Sequence, residues 1–159
     1  MLGHFGLSYL GALYLLMLFI PNLIWVKHVP RDYDTQCESK TLRVLERMGQ
    51  ILVTATVLIF RDFNLQRISI WSVWLLASLV CMLLYEFAWV RYFASDNTEK
   101  NFYRSAFGIP VPLAVLPIIG FLLLGMYGRN PWLIGSVIVL GVGHIGIHIQ
   151  HVTQSRHRR

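Results

Sequence analysis

Residues 131–151 read PWLIGSVIVLGVGHIGIHIQH, a run without a single Asp, Glu, Lys or Arg. A helix needs about 20 predominantly apolar residues to cross the hydrocarbon core of a bilayer, and this run has that length. It also carries three imidazoles, His144, His148 and His151. What those histidines face decides how the rest of the chain is read.

Four more apolar runs precede it. The helices they predict lie at about 5–26, 41–60, 68–93, 106–127 and 132–151. The chain has 159 residues, of which 55% are hydrophobic and only 14% charged, and its mean hydropathy is +0.54. An ordinary soluble domain carries about 25% charged residues. These observations predict an all-α, polytopic integral membrane protein with five transmembrane helices, forming a single membrane domain over 1–159. The first run does not read as a signal peptide, because it lacks a basic leading region and a small-residue cleavage site. No internal repeat is evident.

The net charge of +6 does not point to nucleic acid, since no nucleic-acid-binding motif accompanies it. The cations sit instead between apolar runs. Lys27, Arg31, Lys40, Arg43, Arg47, Arg91, Lys100, Arg104, Arg156, Arg158 and Arg159 fall on one predicted side, and Arg61, Arg67 and Arg129 on the other. The positive-inside rule therefore places the N-terminus outside and the C-terminus in the cytoplasm, in a membrane of the bacterial cytoplasmic type. Trp25, Trp71, Trp89 and Trp132 lie near predicted helix ends, where an interfacial aromatic belt is expected. Cys37 and Cys81 form no CxxC pair, and Cys81 reads as a small buried hydrophobe.

At about 100° per residue, His144, His148 and His151 lie within roughly 60° of one another on a helix, in a stripe about 10 Å long. Other polar residues fall at similar depth: Asn22 beside Pro21 in the first run, Glu46, Arg47, Gln50 and Thr54 in the second, Glu86 in the third. In the fourth, Pro110, Pro112 and Pro117 predict a kinked or partly unwound half-helix, tolerated at membrane depth only beside protein or a wet cavity. Polar groups facing lipid are costly. The expected solution is a cytoplasm-facing cavity lined by Glu46, Arg47, Gln50, Glu86 and the three histidines.

HxxxHxxH with an acid from another helix is a ligand set for a first-row divalent metal such as zinc. His144, His148, His151 and Glu86 are the candidate ligands; the competing reading makes the histidines interfacial, beside the basic tail. Glu86, His144 and His148 are the candidate catalytic residues. Glu46, Arg47, Gln50, Asn22 and Arg91 are the candidate substrate-binding residues, Arg91 as a phosphate clamp or simply snorkelling to the interface. Gly141, Gly143 and Gly146 spell GxGxxG with no preceding strand, which reads as close helix packing rather than a dinucleotide fingerprint.

The expected function is a ligand- or metal-binding site acting on a lipid or small amphiphile. The alternatives are a proton, metal-ion or small-solute transporter subunit, and an accessory subunit of a membrane complex. Membrane lipids are the expected partners, and a homo-oligomer is compatible with five helices. A reporter fused after Arg159 is expected to be active only in the cytoplasm. Activity of that fusion on the outer side would invert the topology.

Overall fold

The structure is a computed structural model that describes residues 3–30, 39–106 and 108–157, with the backbone alone for 154–157. Of the residues singled out above, Arg31, Cys37, Arg158 and Arg159 lie outside the described residues. Six helices form, with no strand among the described residues: α1 (Tyr9–Trp25), α2 (Lys40–Ile59), α3 (Ser72–Phe93), the single turn α4 (Glu99–Phe102), α5 (Pro112–Gly128) and α6 (Pro131–His157). A 3-10 turn, Arg61–Phe63, follows α2.

The five long helices pack as a ring. α2 lies along α6, α6 against α5 and α5 against α3, while α1 closes the ring through lighter contacts with α2 and α3. Tyr14, Val53, Val57, Met82, Tyr85, Phe121, Leu124 and Leu133 fill the interior. The outward faces are apolar too: Leu23, Leu76, Leu83, Phe87, Ile138, Val142 and Ile149 are all exposed.

The boundaries differ from the sequence expectation for local reasons. α1 starts at Tyr9 because Ser8 caps it, its Oγ accepting from Gly11 N at 2.8 Å. The preceding residues run beside the end of α2 instead, with Gly6 N donating to Ile59 O and Ser8 N to Leu58 O. α5 starts at Pro112, where a missing N–H costs nothing. Ahead of it, Ala106 and Ile109 exchange backbone hydrogen bonds around Gly108, whose φ of +76° favours glycine. The unwinding expected of the proline-rich stretch thus precedes the helix, and Pro117 remains inside it.

These trims matter for the spans. Among the described residues two helices, Ser72–Phe93 and Pro131–Thr153, are long and apolar enough to cross a membrane, whereas α1 and α5 are shorter apolar helices. α2 opens with Lys40, Arg43, Glu46 and Arg47. Only 28% of the apolar window of α3 and 33% of that of α6 is buried inside the protein; the rest of each is partly or fully exposed. Trp89 departs from the aromatic-belt expectation: it is buried in the core, stacked on Phe93 at 5.1 Å.

The α2–α6 contact depends on glycine. A Cβ on Gly49 would collide with the backbone of Leu140, and one on Gly143 with the backbone of Glu46. The GxGxxG glycines therefore serve packing: Gly143 and Gly146 meet α2, and Gly141 meets Ile118 of α5. Gly135, on the same helix, has open space where its Cβ would stand. Gly49→Ala and Gly143→Ala are expected to destabilise by about 1 to 3 kcal/mol each, the usual cost of overpacking. Gly135→Ala should be neutral or slightly stabilising. Thermal unfolding of the three variants in detergent checks this ordering.

Candidate functional site

One cavity of about 230 Å³ lies in the half of the ring that holds the α1 C-terminus and the α2 N-terminus. Every long helix lines it. α6 contributes Leu140, His144 and His148; α2 contributes Gln50; α1 contributes Leu18, Phe19 and Asn22. The remaining wall is apolar and aromatic: Tyr85 and Trp89 from α3, Phe102 from α4, and Leu113, Pro117, Ile118 and Phe121 from α5.

The polar side is held by specific bonds. His144 Nδ1 lies 2.6 Å from Glu46 Oε1, with each side chain about one-fifth exposed (23% and 20%). Gly143 makes this pair possible, since it lets the Glu46 backbone approach the very turn that carries His144. With Nδ1 engaged by the carboxylate, Nε2 is the ring nitrogen available to a ligand. Asn22 Nδ2 donates to Tyr85 OH at 2.8 Å and to Leu18 O at 2.7 Å, so the amide is fixed across the α1–α3 seam.

His148 is buried, and its Nδ1 finds no hydrogen-bond partner among the described residues. Its ring meets that of His144 edge-on at 4.7 Å and stacks on Phe102 at 5.9 Å. His151 is also buried, stacked on Tyr103 at 6.4 Å. It does not sit exposed at a mouth.

The expected metal set is not assembled. Among the described residues no group of three or more His, Cys, Asp or Glu side chains is placed to hold a metal ion. The reason is geometric. His144 turns to Glu46, His148 to His144 and Phe102, and His151 to Tyr103, so the imidazoles are placed by ring packing and do not converge on a point.

Four other residues singled out in the sequence stand apart from the cavity. Glu86 does not line it; the residue is half-buried, with Oε1 buried and unbonded among the described residues. Arg91 donates to the carbonyls of Arg104 at 2.7 Å and Ser105 at 3.0 Å, fastening the loop after α4. Arg47 is exposed on α2, and Thr54 is not among the lining residues. Sequence reasoning missed Tyr85, Trp89 and Phe102, although the aromatic density of YEFAWVRYF at 85–93 was a signal.

No protein-family model matches the chain, and no curated protein or solved structure is similar to it. The Glu46–His144 contact should be visible thermodynamically. A hydrogen bond to a charged group contributes about 1.5 to 3 kcal/mol, so a double-mutant cycle of Glu46→Ala and His144→Ala is expected to give coupling near that range. Additive losses would place the two side chains out of contact.

Proposed function

We propose that the chain is an integral membrane protein whose five long helices all span, N-terminus outside and C-terminus in the cytoplasm, and whose cavity binds a small amphiphile or lipid. The observation that carries the reading is the cavity's mixed lining. Asn22, Gln50, His144 and His148 supply a few polar groups from three helices, and Tyr85, Trp89, Phe102, Leu113 and Phe121 supply an apolar and aromatic surface around them. Pockets that are mostly apolar with a few fixed polar groups are the usual form of small-molecule sites.

Membrane placement is supported by the outward faces. A helix of a soluble core buries most of its apolar residues, whereas α3 and α6 bury about a third. Exposed apolar area of that extent needs lipid or a partner to cover it. The loop charges support the orientation, which puts the cavity in the cytoplasmic half.

In this reading the ligand's polar head meets His144 and Asn22, and its chain lies against Trp89 and Phe121. His144, oriented by Glu46, accepts or donates a proton to the head group, and His148 is the next imidazole in line, 4.7 Å away ring to ring.

Trp89 offers a direct test, because bromine quenches indole fluorescence on contact. Protein in detergent is titrated with 11-bromoundecanoic acid. A saturable quenching component is expected, absent in Trp89→Phe although four tryptophans remain, and weakened about tenfold or more in His144→Ala. Quenching that never saturates, or that is the same in Trp89→Phe, would reject the cavity as the binding site.

A further inference from the structure

A second recess lies at the opposite end of the ring, sharing no residue with the cavity above. It is larger, about 560 Å³, and its lining is polar: His4, Arg61, Asp62, Gln66 and Arg129, with Gly3 and Gly128. Four separate pieces of chain build it. They are the N-terminal segment, the 3-10 turn, the stretch leading to α3, and the α5–α6 junction.

Its base is a buried carboxylate whose two oxygens both have partners. Asp62, 8% exposed, accepts from His4 N at 2.8 Å and from Asn130 Nδ2 at 3.2 Å through Oδ2. Its Oδ1 lies 2.7 Å from His4 Nδ1. Asn130, fully buried, in turn caps α6, its Oδ1 accepting from Trp132 N and Leu133 N at 3.1 Å each. Gly3 closes the floor at a φ of +98°, where a Cβ would meet Asn130 Nδ2 at 2.7 Å and Asp62 Oδ2 at 2.9 Å.

The consequence is a positive rim. Asp62 is committed to His4 and Asn130, and among the described residues no carboxylate pairs with Arg61 or Arg129. Arg129 takes the left-handed backbone that ends α5, and its guanidinium sits 5.4 Å from the centre of the Trp71 ring. The His4 side chain, 54% exposed, is held through Nδ1 and leaves Nε2 available. Two guanidiniums and an oriented imidazole, approaching from three chain segments, suit a tetrahedral oxyanion.

We propose that this recess binds a phosphate group, with Arg61, Arg129 and His4 Nε2 as its ligands. The phosphate is either that of a phospholipid head group or a free anion. Exposed Phe5, Leu7, Leu65, Ile68 and Ile70 on the neighbouring segments would set the recess at head-group level in a bilayer. The site does not rest on the amphiphile reading of the other cavity.

The test follows the His4 imidazole ¹⁵N signals by NMR in detergent and chloride buffer. Inorganic phosphate and short-chain dihexanoyl phosphatidylglycerol are titrated separately. A saturable shift of Nε2 with either probe is expected, the responding probe naming the source. The apparent affinity should fall about tenfold or more in Arg61→Gln and in Arg129→Gln, and stay unchanged in Arg67→Gln, whose side chain is outside the recess. Dispersion of the remaining signals verifies that each variant is folded. No shift with either probe, or a shift that survives in the Arg61→Gln/Arg129→Gln double variant, would overturn the proposal.

Discussion

The close approach of α2 to α6 is the constraint from which the lower half of the molecule follows. Two glycines permit it, Gly49 facing the Leu140 backbone and Gly143 facing that of Glu46. Where helices are surrounded by apolar material there is little hydrophobic drive between them, and packing of small residues does the work. Here the contact does more than hold two helices. It delivers a carboxylate on α2 to an imidazole on α6 at 2.6 Å, and so orients the His144 ring that lines the cavity.

The aromatic part of the lining depends on a different device. α4 is a single turn, capped by Thr98, and it swings Phe102 back under the bundle. There Phe102 stacks on His148 and on Trp25 at 5.5 Å, and Arg91 ties down the loop beyond. The cavity is therefore bounded by an aromatic cluster held through packing, and by Asn22 and His144, which hydrogen bonds hold. Both kinds of restraint lower the ordering cost a ligand would otherwise meet on binding.

Much of this was legible before any coordinates. The apolar runs located all five long helices, and the 100° step placed His144 and His148 on one stripe that does meet Asn22 and Gln50. Rotation about the helix axis was not legible for α3, which is apolar all round and so has no face marked by period. Tyr85 points to the cavity, and Glu86, one residue and about 100° further on, does not. That Arg91 ties down a loop and that the imidazoles do not gather as a metal group among the described residues have a related reason: spacing says that side chains share a face, not what they turn towards. The upper recess was illegible altogether. His4, Asp62 and Asn130 are separated by 58 and 68 residues, and loop residues that appeared only as topological charges turn out to frame a pocket.

The unequal helices carry one more implication. At 1.5 Å per residue, the 17 residues of α1 and of α5 rise about 25 Å, and the 22 of α3 about 33 Å. A hydrocarbon core is about 30 Å thick. On the five-span reading, no single slab matches both lengths. Longer helices must lean while the bilayer thins beside the shorter ones, at fractions of a kcal/mol per Å of mismatch. On that reading, the cap and proline choices at Ser8 and Pro112 would draw the bilayer thinner beside α1 and α5. They would also concentrate lipid deformation on the flank formed by α1 and α5, two of the walls of the lower cavity.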